Sequence, residues 1–106
     1  MFCIAGASAQ KKSIAQKADD LFDQYRFYDA SLEYEKAYEK IKDNKAEKNR
    51  VYFQLAECYR LMYDYPRAER IYKRLANDGY QNTEEKLYFY LAEMYRFLAE
   101  SHNYKQ

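Results

Sequence analysis

A chain of 106 residues has room for one small domain. Its 48% hydrophobic content, with 14 Tyr and 6 Phe, can fill an aromatic-rich core, while 2 Gly and 1 Pro leave few turn formers for hairpins or flexible linkers. The fold class this implies is all-α, and a net charge of +1 excludes a general field favouring nucleic acid or an anionic membrane.

Met1 to Ala9, MFCIAGASA, is an uncharged apolar run ending in small residues. Ala7-Ser8-Ala9 before Gln10 has the A-x-A form of a signal-peptidase site, so residues 1–9 read as the remnant of an export signal. The basic n-region and longer apolar stretch of a full signal are not present in this run, and a plain apolar tail is the alternative. It is too short to span a membrane.

From Gln10 to Gln106 the chain reads as one helical domain, in segments of approximately 11–44, 45–81 and 82–106. In the first, Ser13 with Gln16 forms a capping-box pattern, and Ala18, Leu21, Ala30 and Tyr34 give the apolar period of two helices. Glu33, Glu35 and Glu39 are spaced as solvated helix charges, with Lys36 and Lys40 within pairing reach. Lys42 to Lys45 is a polar connection, and Asn44 with Glu47 predicts the next cap.

The second segment carries the strongest pattern. Tyr52, Leu55, Ala56, Tyr59 and Met62 form one stripe, and Ala68, Ile71, Tyr72 and Leu75 form another across Tyr63-Asp64-Tyr65-Pro66. Pro66 suits the first turn of the second helix, and Gly79 suits a left-handed cap after it. Ala56 and Ala68 are expected to face each other and let the two axes approach closely.

In the third segment Asn82 and Glu85 repeat the capping spacing. Tyr90-Leu91-Ala92-Glu93-Met94-Tyr95-Arg96 then echoes Gln54-Leu55-Ala56-Glu57-Cys58-Tyr59-Arg60. A turn is expected near Glu100 to Asn103. The segment stops before a second helix, which reads as the front of a longer protein or as a face buried in another copy.

These stretches resemble the tetratricopeptide repeat. Tyr52, Leu55-Ala56 and Tyr59 match the family's first helix, Asp64, Tyr65 and Ala68 its turn, and Tyr72 the aromatic of its second helix. Tyr63 stands where the family has a turn glycine, and Tyr80 where it has a closing proline. Ala30 and Ala68 lie 38 residues apart, against a family period of about 34. The resemblance implies a helix-turn-helix repeat solenoid of about 2.5 repeats and five helices, with first helices lining a concave face that binds proteins. An export remnant ahead of such repeats also looks like the front of bacteroidete envelope proteins. In those, the repeats precede a propeller or an OmpA-like peptidoglycan-binding domain, sometimes in type IX secretion machinery.

Chemistry finds little support. His102 is the only histidine and has no partner spacing for a general base or a metal, and no glycine-rich phosphate loop exists. Cys58 sits among Ala56 and Tyr59 as a small hydrophobe. No enzyme activity and no cofactor or metal is expected.

The resemblance places Phe53, Glu57, Arg60, Phe89, Glu93 and Arg96 on the concave face as the candidate partner site. Glutamate and arginine three apart can pair on one helical face and leave the two phenylalanines as aromatic anchors for a peptide or helix. The alternative is that Phe53 and Phe89 only pack between helices. The family's carboxylate-clamp positions fall on Ala15, Asp19, Gln54, Lys86 and Tyr90, of which only Lys86 suits an anion. The expectation is therefore a non-catalytic interaction scaffold exported to the periplasm or outer-membrane envelope, with a protein partner and self-association through the unpaired last helix. A structural spacer in a longer envelope protein is the runner-up. A nucleic-acid or ligand binder using stacked tyrosines ranks third, because Glu57 and Glu93 flank the phenylalanines.

Overall fold

The computed structural model describes residues 13–80 and 83–104. The chain there is all-α, with helices α1 Gln16–Asp23, α2 Phe27–Lys40, α3 Lys45–Leu61, α4 Tyr65–Asn77 and α5 Thr83–Tyr104. Each helix packs mainly on its neighbours in sequence, α1 on α2, α2 on α3, α3 on α4 and α4 on α5. Connections this short force successive helices to run antiparallel. Met1 to Ala9 and Asn82 lie outside the described residues.

One device ends each of the first, third and fourth packed helices. The amide of Arg26 donates to Leu21 O, that of Asp64 to Tyr59 O and that of Tyr80 to Leu75 O, at 3.0, 2.8 and 3.0 Å. Inside each loop a second amide donates to the next carbonyl: Tyr25 to Phe22, Tyr63 to Arg60 and Gly79 to Ala76. This double closure is the Schellman motif, and it requires its penultimate residue to be left-handed. Gly79 meets that demand at φ 71°, but Tyr25 and Tyr63 meet it at φ 61° and 64°. A side chain there costs about 1–2 kcal/mol relative to glycine. The two tyrosines are 38 residues apart, so both intra-hairpin turns carry the same strain.

Helix starts divide between expected and unexpected. Asn44 Oδ1 accepts from the Glu47 amide at 3.0 Å, the cap its spacing predicts. Pro66 falls in the first turn of α4. Ser13 does not cap α1, which begins at Gln16 with no side-chain cap bond; the Gln16 amide takes the Ser13 backbone carbonyl instead, at 3.0 Å. The turn expected at Glu100 to Asn103 is also absent, because α5 continues to Tyr104. No glycine or proline stands there to end a helix, and a polar residue alone does not break one.

The core is continuous from Ala15 to Met94 and is built on alanines, tyrosines and aliphatics. Ala18, Ala30, Ala37, Ala56 and Ala68 are buried, so small residues recur in the core on each of the first four helices. Ala56 and Ala68 are both 0% exposed. Tyr34 on α2 and Tyr72 on α4 are fully buried at equivalent positions.

Two outcomes check this packing. Ala68→Leu should destabilise by about 1–3 kcal/mol through overpacking; an unchanged thermal midpoint would mean that the α3 and α4 axes are not close there. Tyr25→Gly should stabilise by about 1 kcal/mol in urea unfolding, since it removes the left-handed penalty of a largely exposed side chain.

Candidate functional site

A buried tyrosine must spend its hydroxyl, and here each does so on a carboxylate of the helix before it. Tyr34 Oη donates to Asp19 Oδ1 at 2.5 Å, and Tyr72 Oη donates to Glu57 Oε2 at 2.6 Å. Asp19 and Glu57 are 38 residues apart, as are the tyrosines, so both hairpins are closed by one bond. The next helix then covers the pair. Over the first, Arg50 binds Asp19 through Nη1 and Nη2 at 3.3 and 3.1 Å while also holding Glu47. Over the second, the arginine is Arg60 of α3 itself, which binds Glu57 at 2.9 Å, and the next helix contributes Tyr90, whose ring centre lies 4.3 Å from that guanidinium.

This geometry decides what each candidate residue does. Glu57 and Arg60 are held inside a network with Tyr72 and Tyr90 and are mostly covered. The Arg60 Nε is buried without an acceptor among the described residues, a cost that its ion pair and ring contact must offset. Phe53 is half-buried, edge-on to Tyr72 at 5.9 Å and tilted against Tyr80 at 6.1 Å. Phe89, at the matching position of α5, is 62% exposed and touches only the neighbouring Tyr90 among the described rings. Glu93 and Arg96 make no ion pair with each other among the described residues, and Arg96 is exposed. The two triplets share a sequence spacing but not an environment.

Three of the six candidates do converge. Arg60, Glu93 and Arg96 line a cleft of about 290 Å³ between the α3–α4 turn and α5, together with Tyr63, Tyr65, Phe97 and Glu100. Its floor is an aromatic triad. Tyr63 and Phe97 stack at 5.6 Å and 15°, and Tyr65 meets both edge-on, at 6.0 and 5.3 Å. Tyr63 is the left-handed residue of the turn, and that conformation carries its ring to α5. Two arginines and two glutamates rim the triad, so the cleft is amphoteric. Tyr63, Tyr65 and Phe97 are not among the site residues that the sequence points to. The signal available was the tyrosine at a turn-glycine position, a substitution that needs compensation.

A second groove lies at the other end of the molecule. Tyr38 and Tyr52 stack at 4.5 Å, Lys48 sits 4.5 Å from the Tyr38 ring centre, and Lys42, Lys45 and Arg74 stand nearby with Asp43 and Asp78. The stacked rings cover each other, and Lys48 takes a further share of Tyr38. That is an arrangement for packing α2 on α3 more than for receiving a base.

Among the described residues no group of His, Cys, Asp and Glu could hold a metal, and no helix is long and apolar enough to cross a membrane. Cys58 is buried, and burial pushes its thiol up to about 12, so it is a poor nucleophile. His102 lies on α5 and not in a turn. Glu35, one of the expected solvated charges, accepts from the Tyr59 hydroxyl.

The environments of the two phenylalanines predict opposite behaviour. Phe53→Ala should lower stability by about 2–3 kcal/mol, somewhat below the value for a fully buried ring. Phe89→Ala should leave the melting curve unchanged; equal losses would contradict the difference in burial. Alkaline pH should also unfold the chain cooperatively. Burial holds Cys58 and Tyr59 up to about 12, from ordinary values of 9.0 and 10.0, and pushes Tyr34 and Tyr72 higher still. The unfolded chain therefore releases these protons first, so stability is intact below pH 9 and falls as pH rises from there through 12. A flat urea midpoint between pH 8 and 11 would contradict it.

No protein-family model matches this chain, and no curated protein and no solved structure matches it.

Proposed function

We propose that the chain is a non-catalytic protein-interaction module of the tetratricopeptide type, working at the cell envelope after export, which holds a peptide or helix of a partner protein. The observation that carries this reading is the cleft between the α3–α4 turn and α5. It offers stacked aromatic surface for an apolar anchor, the exposed Arg96 for carboxylate or carbonyl groups and two glutamates for amides or a cation. Peptide sites concentrate their energy in a few aromatic and arginine contacts of this kind. The mixed rim disfavours nucleic acid, which needs a continuous basic groove beside its stacking platforms.

Support for the repeat architecture comes from positions 38 residues apart that do the same work. Tyr25 and Tyr63 turn the chain, Ala30 and Ala68 allow close approach, and Tyr34 and Tyr72 bond Asp19 and Glu57. The envelope location rests on the Ala7-Ser8-Ala9 motif alone.

Selection from a displayed random-peptide library tests the cleft against the spacer reading. Peptides retained by the wild-type chain should bind Phe97→Ala and Arg96→Ala at least about 10-fold more weakly, with both variants folded by helical circular dichroism at the assay temperature. If no peptide is retained, or if retained peptides bind both variants as they bind the wild type, the module is a spacer.

A further inference from the structure

On α3, Tyr52 stacks on Tyr38 of α2, the Tyr59 hydroxyl donates to Glu35 of α2 and its ring centre has Arg67 of α4 5.5 Å away, and Ala56 and Tyr59 are 0% and 6% exposed, so helices on both sides cover this stripe. The matching residues of α5, 36 positions on, are Tyr88, Ala92 and Tyr95. Tyr88 and Tyr95 are 66% and 53% exposed, and Ala92 is exposed as well. No helix among the described residues covers them. Helix α5 also carries apolar side chains around most of its circumference, the composition of a helix covered on more than one side.

The exposed stripe is longer than these three residues. Glu85, Tyr88, Ala92, Tyr95, Ala99 and His102 follow one another at spacings of three and four, the seam of a coiled coil, and all six are exposed. They fall within roughly 100° of one another around the helix, over about 25 Å of its length. Read in the reverse direction, the seam is its own complement. In an antiparallel pair centred between Glu93 and Met94, Tyr88 meets Ala99, Tyr95 meets Ala92, and Glu85 meets His102, each contact occurring twice. Every large ring lies over a small residue and every carboxylate opposite an imidazole. A parallel pair in register would instead set tyrosine on tyrosine, alanine on alanine and glutamate on glutamate.

We infer that the outer face of α5 is a homodimer interface, in which two copies of this chain pair their α5 helices antiparallel about a two-fold axis. The alternation of tyrosine and alanine specifies direction and register. An alanine opposite a tyrosine leaves room for the ring between the two axes. The two-fold makes the contact isologous, so it stops at two copies. Tyr95 joins the seam already anchored, since its hydroxyl donates to Glu69 on α4. The seam lies on a different side of α5 from Phe97, so the inference does not depend on the peptide-binding cleft.

Sedimentation of the full chain over a concentration series, with Cys3→Ser to remove the N-terminal thiol, tests it. The wild-type seam should give a concentration-dependent dimer. Ala92→Arg should weaken it at least about 30-fold with unchanged helical circular dichroism, because Ala92 is exposed in the single chain. A monomer at all concentrations up to about 100 µM would overturn the inference, as would a dimer indifferent to Ala92→Arg. Register is read by oxidising an equimolar mixture of Tyr88→Cys and Ala99→Cys chains. Mixed disulfides are the expected main product. Disulfides joining like chains only would place the helices parallel and overturn the proposal.

Discussion

The bond between a buried tyrosine hydroxyl and a carboxylate one helix earlier governs the arrangement of this protein. Tyr34 and Tyr72, with Tyr59, bring large rings into a core otherwise built on alanine and aliphatics, and each carries a polar atom that needs a partner there. Asp19 and Glu57 supply that partner to Tyr34 and Tyr72, and in doing so fix the rotation of each first helix against its second. The charge so committed needs covering in turn. Arg50 covers Asp19, and Arg60, roofed by the Tyr90 ring, covers Glu57. The polar network therefore runs through the core and ties each hairpin to the helix after it.

This network explains why the candidate site has its observed shape. Matching triplets, Phe53-Glu57-Arg60 and Phe89-Glu93-Arg96, become unlike once α5 is laid over the first of them. Glu57 and Arg60 turn inward to Tyr72 and Tyr90, whereas Arg96 and Phe89 remain exposed and Glu93 lines an open cleft. Position along the chain, and not residue type, assigns the role. The open cleft gains its aromatic floor from Tyr63, whose left-handed backbone aims the ring at Phe97. Strain of about 1–2 kcal/mol is retained at a turn where glycine would be easier.

Much of the helical framework was legible in the residues. Periodicity placed the two stripes of α3 and α4, Asn44 announced its cap, and Gly79 its left-handed turn. Local signals of this kind are read from a few neighbouring residues, and tertiary packing does not disturb them. What the residues did not disclose depends on distant partners. Glu35 has the spacing of a solvated charge and becomes the acceptor for Tyr59, 24 residues away. Tyr63 reaches Phe97 across 34 residues, and no local rule anticipates that contact. The end of α5 was misplaced for the opposite reason: Glu100 to Asn103 are polar, but nothing in them stops a helix.

The most direct test of the account is a double-mutant cycle on Tyr72 and Glu57. Tyr72→Phe, Glu57→Gln and the double variant, unfolded in urea at pH 7, isolate the bond between the two side chains. A hydrogen bond from a buried hydroxyl to a charged carboxylate predicts a coupling of at least about 1 kcal/mol. Additivity within about 0.3 kcal/mol would show that the tyrosine ring alone holds the hairpin, and that the carboxylate has no part in setting the helix pair.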